Sequence, residues 1–270
     1  MPQPTDNPID EHSLTQRQEA IVAQVRGQGF VAIEALAREF QITPQTVRRD
    51  INTLCDLGLL QRYHGGAGLP SSTENIAYET RQAMNIDGKR QIAGLVARHI
   101  PANASVSISL GTTAQETARA LRQHGGLRVV TNNLRVAGML SSSANIEIMM
   151  AGGLVRHLDA GVTGESAIEF FRNFHVDYAL ISISAIEADG SLLDFDYHEV
   201  RLLQVIIANA RKRYLLADIS KFGRNALIRA GNITDMDALF TDRKPTGQLA
   251  RVIEEAGLPV HIAGPDDAIA

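Results

Sequence analysis

The sequence predicts a two-part chain: a small winged helix-turn-helix domain at the front, and behind it a larger α/β domain on a mostly parallel sheet. Three observations carry this reading. The stretch "ITPQTVRRDINTL" from Ile42 sets a hydroxyl and a proline ahead of apolar residues at helical spacing, with paired arginines off that face. Beyond Lys89, helical and strand patterns alternate, as in a parallel sheet covered by helices. The 270 residues also suffice for two domains at about 150 residues each. We divide the chain into a winged helix-turn-helix domain over 13–69, a linker over 70–88 and an α/β domain over 89–262.

Three short helices are expected in the front domain. The first spans Gln16–Gln28, with Ile21, Val22 and Val25 on one face and Gly27 and Gly29 at its end. The second covers 33–40, turning Ile33, Leu36, Ala37 and Phe40 inward. The third opens at Thr43, whose hydroxyl suits an N-cap, with Pro44 at the first helical position. Val47, Ile51 and Leu54 follow at spacings that place them on one face. Only "QIT" separates the second helix from the third, the tight turn of a helix-turn-helix.

If Val47, Ile51 and Leu54 face the core, then Gln45, Thr46, Arg48 and Arg49 project from the other faces, beside Thr43. The N-terminal part of a recognition helix is the part that meets base edges in the major groove. Its free N–H groups and dipole also favour a phosphate. A bidentate arginine–guanine contact discriminates between bases by about 1–3 kcal/mol. After Leu57, "GLLQRYHGGAGL" reads as a short hairpin wing, with Arg62 and His64 set to meet the DNA backbone. Three arginines against two aspartates between Thr43 and His64 leave this patch only +1. DNA binding is therefore expected from a dimer or tetramer.

Composition excludes several classes. Lys and Arg number 26 against 30 Asp and Glu, for a net charge of -4, which argues against a general polyanion binder. The single Cys55 excludes an internal disulfide framework and suits a reducing compartment. "MPQPTDNPIDEHS" lacks the basic and apolar regions of a signal peptide. No apolar run approaches the roughly 20 residues of a membrane span. The expectation is a soluble cytoplasmic protein.

In the back domain the polar and glycine residues gather just after the strand patterns: Gly111-Thr112-Thr113, Thr131-Asn132-Asn133, Gly152-Gly153 and Ser220-Lys221-Phe222-Gly223. Ligands of open α/β sheets sit beyond the carboxyl ends of strands. "SLGTT" leading into a helix offers N–H groups and two hydroxyls to a phosphate, and Lys221 offers the counter-charge. Each loop alone reads equally well as a turn, but four at corresponding ends favour a small phosphorylated ligand. "DFDYHEVR" sets Asp194, Asp196, His198, Glu199 and Arg201 at a helix entry. The acids there can cap the helix or meet the hydroxyls of a polyol. His198 and Glu199 lack the second histidine of a zinc helix, so no metal and no other cofactor is expected.

The run "RQEAIVAQVRGQGFVAIEALAREFQITPQTVRRDINTLCDLGLLQRYHGGA" resembles the N-terminal signature of DeoR-family bacterial transcription regulators, and "LGTT", "VVTNN", "AGG", "DGSL" and "DISKFGR" resemble that family's sensor landmarks. The resemblance implies a winged helix-turn-helix joined to a sensor like the sugar-phosphate isomerases. It also implies a repressor released from its operator by a phosphorylated metabolite, with glycerol-3-phosphate the first candidate. On that reading Gly111, Thr112 and Thr113 form the phosphate loop. Thr131, Asn132, Asn133, Gly152, Gly153 and Lys221 line the same cleft, and Asp196, His198, Glu199 and Arg201 meet the hydroxyl end or the moving element. This chain departs from the family at Ser109, where an Asp is usual, at Ser182 and Ala185, where Gly is common, and at Ala32, where a Ser or Thr cap is expected. The competing reading is a sugar-phosphate isomerase or amino-sugar-phosphate deaminase with an accessory DNA-binding domain. Glu199 or Asp196 would then be the general base, although Ser109 removes one carboxylate from the cleft.

Overall fold

The computed structural model describes residues 14–56, 59–63, 65–68, 75 and 78–268. The chain divides into two compact units, Met1–Pro70 and Ser71–Ala270.

In the front unit, α1 (Gln16–Gln28), α2 (Ile33–Glu39) and α3 (Pro44–Asp56) enclose a core of Ile21, Val25, Leu36, Val47, Ile51 and Leu54. Helix α1 starts in a capping box: Thr15 Oγ1 accepts from Gln18 N at 3.3 Å, and Gln18 Oε1 accepts from Thr15 N at 3.0 Å. The wing strands β2 (Gln61–Tyr63) and β3 (Gly66–Gly68) pair antiparallel, with Gly65 at φ +82° in the turn. A third strand, β1 (Phe30–Ala32), joins them by pairing with β3. It explains the second glycine of the pair, since a Cβ at Gly66 would run into Val31 O and the Phe30 ring. Ala32 precedes α2 without a side-chain cap, but the wing turn compensates in part: Ile33 N donates to Gly65 O at 2.8 Å.

The back unit holds α4 (Tyr78–Ala83), α5 (Ile86–His99), β4 (Ala104–Ile108), α6 (Thr112–Leu121), β5 (Leu127–Thr131), α7 (Leu134–Leu140) and β6 (Ile146–Met150). Then follow α8 (Glu165–Arg172), β7 (Val176–Ser182), β8 (Ala185–Ile186), β9 (Ser191–Asp194), α9 (Tyr197–Ala208) and β10 (Ala210–Leu216). The chain closes with β11 (Ile228–Asn232), β12 (Ala238–Thr241), α10 (Gly247–Glu255) and β13 (Val260–Ile262). Seven strands form one sheet in the order β13-β12-β10-β7-β4-β5-β6, and every pairing in it is parallel. On one face Ile92, Val96, Ala114, Leu121, Val136 and Leu140 of α5, α6 and α7 pack on Val106, Ile108 and Leu180. On the other, Ile168, Phe171, Leu203, Ile206 and Ile253 of α8, α9 and α10 pack on Ala179, Ile181 and Leu215. This two-faced burial is why the strands read as near-continuous apolar runs.

From β4 the chain steps outward through β5 to β6, then returns to lay β7 against the other side of β4. The loops leaving β4 and β7 therefore diverge, opening the crevice where ligands of such sheets bind. A small antiparallel sheet in the order β11-β9-β8, which the alternation gives no sign of, takes β8 and β9 from between β7 and α9 and β11 from between β10 and β12, and β9 ends at Asp194. Among the described residues no helix is long and apolar enough to cross a membrane.

Candidate functional site

In the front unit the surface of α3 is arranged by its caps and its buried face. Thr43 Oγ1 accepts from Thr46 N at 3.2 Å and lies 2.9 Å from Thr46 Oγ1, which fixes both hydroxyls at the helix start. Val47, Ile51 and Leu54 are buried, Gln45 and Arg49 are exposed, and Thr46 and Arg48 are half-buried. Asp50, on the buried side, is held by Arg17 of α1 through Nε at 2.6 Å and Nη2 at 3.2 Å. That pairing removes the one acid of the arginine turn from the exposed face. From the wing, the exposed Arg62 donates to Asn52 Oδ1 at 3.1 Å, so strand β2 and helix α3 present a joined polar edge. His64 lies outside the described residues.

The back unit carries a cleft at the divergence of β4 and β7, lined by Tyr78, Arg81, Gly111–Thr113, Asp159, Ser182–Ser184, Asp194, Glu199 and Lys221 around Leu110. It deepens into a second hollow shared by Ser109, Asn132, Ser182, Asp194 and Glu199. Helix α6 opens at Gly111 (φ +132°) with no side-chain cap, and Ser182 Oγ accepts from Ala114 N at 3.2 Å. The amides ahead of Ala114 at the α6 start, beside the Thr112 and Thr113 hydroxyls, suit an anion.

Lys221 stands on a single 3-10 turn after β10 and is buried. Burial pushes its ammonium down to about 7, and the negative charge of Asp218 only partly offsets this. Asp218 is itself buried and takes Ser220 N at 2.9 Å and Asn85 Nδ2 at 3.3 Å. Across the cleft, burial raises Asp194, and burial together with the charge of Asp194 raises Glu199 to about 8. Arg156 opposes that rise. It donates to Asp196 Oδ2 at 2.8 Å, to Asp159 Oδ1 at 3.2 Å and to Glu199 Oε1. The cleft therefore joins the start of α6 and Lys221 with the carboxyls of Asp159, Asp194 and Glu199, groups that suit the phosphate and the hydroxyls of a phosphorylated polyol.

Of the residues expected here from sequence, Gly111, Thr112, Thr113, Glu199 and Lys221 stand together in the cleft, and Asn132 lines its deeper part. Asn132 is held there by Ser109 Oγ at 3.3 Å and by its own amide donating to Val162 O at 2.8 Å. The remaining candidates lie outside the lining, and several have local roles. Thr131 Oγ1 donates to Ile108 O at 2.6 Å, tying β5 to β4. Asn133 caps α7, accepting from Arg135 N at 3.0 Å and Val136 N at 3.4 Å. Gly152 and Gly153 are exposed, and Gly152 O accepts from Ser166 Oγ at 3.2 Å. Asp196 caps α9 through His198 N at 2.8 Å and Glu199 N at 3.0 Å, while His198 and Arg201 are exposed on that helix. Sequence reasoning did not mark Tyr78, Arg81, Asp159 or Ser182–Ser184 as lining this cleft. Asp194 was legible only as one acid of the helix-entry cluster, and the fold is what brings it into the site.

A helix-turn-helix unit joined to an α/β unit with such a cleft at its switch point defines a ligand-sensing, DNA-binding regulator. Residues 17–73 match the DeoR-like helix-turn-helix domain, and residues 84–243 match the DeoR C terminal sensor domain. The glycerol-3-phosphate regulon repressor of Escherichia coli K12 is 44% identical over 92% of this chain and 98% of that protein. The protein of the same name from Haemophilus influenzae is 44% identical over 86% and 90%. The HTH-type transcriptional repressor CsqR of Escherichia coli is 37% identical over 93% and 96%. Among solved structures, ribose 5-phosphate isomerase a from Methanocaldococcus jannaschii aligns with a TM-score of 0.38 at 16% identity, over 51% of this chain and 55% of that one, too slight a likeness to argue from. The chain belongs to the DeoR family. It is a transcriptional repressor of helix-turn-helix type and not an enzyme.

Proposed function

We propose that this repressor grips operator DNA through α3 and the β2–β3 wing and is released when glycerol-3-phosphate, or a polyol phosphate like it, enters the cleft of the back unit. The observation that carries the reading is the convergence of Gly111–Thr113 and Lys221 in one cleft at the sheet's switch point. The phosphate sits on the α6 N-terminus beside Lys221. The hydroxyls face Asp194, Glu199 and Asp159, whose carboxyl oxygens accept their hydrogen bonds. Relatives named for the glycerol-3-phosphate regulon support the choice of ligand.

On the DNA side, Gln45, Thr46, Arg48 and Arg49 face the major groove, while Thr43 and Arg62 meet phosphates. The front unit's charge is small, so two copies act together on half-sites about 34 Å apart, which requires a symmetric oligomer. An effector that prefers the DNA-incompetent state by about 1–3 kcal/mol weakens DNA binding about 5- to 150-fold. Operator DNA titrated with the protein by fluorescence anisotropy, with and without millimolar glycerol-3-phosphate, tests the proposal. Full DNA affinity retained at saturating effector rules that ligand out.

A further inference from the structure

We propose that Arg81 belongs to the phosphate-binding set, so that the segment joining the back unit to the front one forms part of the effector site itself. This inference rests on the effector reading above. Residues 70–88 read as a linker in the sequence, yet two of those described form cleft wall. Tyr78 and Arg81 of α4 line the same cleft as Gly111–Thr113 and Lys221. Tyr78 follows closely on Pro70, where the front unit ends.

Four sets of contacts fasten this segment to the site. The Tyr78 hydroxyl donates to Gln115 Oε1 on α6, the helix whose N-terminus faces the cleft, and Gln82 Nε2 reaches the same oxygen at 3.4 Å. Two guanidinium groups lie over the Tyr78 ring, Arg81 at 5.5 Å and Arg135 at 4.8 Å from its centroid. The buried Lys89 ammonium donates to the carbonyls of Arg81 and Met84, which closes the end of α4. Upstream, Asn75 Nδ2 lies 3.4 Å from Ser184 Oγ, while Arg224 donates to Asn75 Oδ1 at 2.8 Å and to Ser184 O at 3.3 Å. Ser184 is a cleft residue.

Arg81 is close enough to the site for its positive charge to lower Lys221 and to favour the ionised form of Asp194. A dianion in the cleft therefore meets two cations, Lys221 from the turn after β10 and Arg81 from α4. Arginine suits the task because its fork of donors matches phosphate oxygens. Binding then draws α4 onto the phosphate, and the change is delivered at the start of the segment that leads to the DNA-binding unit. The coupling is short because the reporting residue is also a ligand-binding one.

The test uses the full-length protein with Arg81→Ala and Arg81→Lys, with sn-glycerol-3-phosphate and inorganic phosphate as probes in calorimetry. Hydrogen exchange of residues 78–84 is followed with and without each probe. Arg81→Ala is expected to weaken both probes by about 10- to 100-fold, the range for hydrogen bonds to a charged group, with Arg81→Lys between it and the parent. The parent should gain exchange protection over 78–84 on binding, and saturated Arg81→Ala should not. A parent that binds glycerol-3-phosphate, with Arg81→Ala binding it within twofold or with exchange over 78–84 unchanged, overturns this inference alone. A parent that binds neither probe overturns it together with the effector reading.

Discussion

Gly111 is packed so tightly against Ser182 that a Cβ added to it would stand 2.7 Å from the serine Oγ and closer still to its Cβ. The two residues lie where the loops leaving β4 and β7 separate, and Gly111 takes φ +132°, a conformation closed to other residues. Gly111→Ala is therefore expected to cost about 1–3 kcal/mol in the back unit from backbone strain alone. It should also narrow the cleft mouth and lower glycerol-3-phosphate affinity at least tenfold, while operator binding without effector persists. Calorimetric unfolding and effector titration measure the two effects. Adding Ser182→Gly should restore part of the loss by clearing the Cβ but none of the part due to φ. Full rescue would show that the backbone conformation is unimportant.

Ala32 offers a stabilising change. The α2 start has one donor satisfied by Gly65 O but no side-chain cap. Ala32 already has the extended conformation of a capping residue, φ -77° and ψ 143°. Ala32→Ser is expected to add about 0.5–1 kcal/mol to the front unit. That raises its unfolding midpoint by a few degrees, at about 4–8 °C per kcal/mol for a domain of this size. An unchanged or lower midpoint would mean that the Gly65 contact already meets the need, or that the hydroxyl cannot reach the α2 amides.

How legible the molecule is from sequence depends on whether a feature is set by neighbours along the chain or across it. Thr43, Pro44 and the Val47–Ile51–Leu54 spacing define α3 within one short window, so its start and buried face are visible without the fold. The parallel sheet is visible because strands buried on both faces become apolar runs between helices. Strand β1 is not: its three residues sit between two helices and become a strand only because β3, far along the chain, pairs with them. The cleft divides in the same way. Gly111–Thr113 and Lys221 come soon after strands and carry their residue types openly. Tyr78 and Arg81 come from what reads as linker, and Asp159 from a loop, so only the fold places them. Thr131 and Asn133 show the converse. Threonine and asparagine after a strand serve equally as ligand contacts, strand ties and helix caps, and here Thr131 ties two strands while Asn133 caps a helix.

Arg156 should control which ligand fits, without lining the cleft itself. It holds Asp159 and Glu199, two of the three acids at the hydroxyl end, and anchors to Asp196 on the α9 cap. It is also the charge that restrains the rise of Glu199, whose carboxyl already lies near 8. Without Arg156 that carboxyl stays protonated to still higher pH, and the acids lose their fixed directions. Arg156→Gln is expected to weaken glycerol-3-phosphate about tenfold, or 1.4 kcal/mol, and to leave inorganic phosphate within about twofold, since the Gly111–Lys221 end is untouched. An equal loss for both probes in parallel titrations would place the effect on the phosphate end or on the fold.

With Lys221 in the site, effector binding is expected to be proton-linked. In the free protein burial outweighs the attraction of Asp218, while Arg224, Lys89 and Arg81 push the ammonium further down, so it titrates near 7. Asp194, in the same cleft, is raised by burial. At pH 8 Lys221 is therefore mostly neutral, whereas the phosphate is a dianion. The bound dianion favours the charged form and lifts the lysine's pKa back above the solution pH, so binding at pH 8 must take up a proton. By linkage, affinity is strongest near pH 7 and falls as pH rises from there towards the lysine's pKa in the complex. Glu199, titrating near 8, is the other group in this window, so the lysine's share needs its own variant. Calorimetric enthalpies in two buffers of different ionisation heat at pH 8 should give an uptake approaching one proton for the parent. Lys221→Arg keeps a permanent charge and should bind without that share of the uptake. Equal uptake by the two proteins would assign the proton to Glu199 and remove Lys221 from the phosphate end.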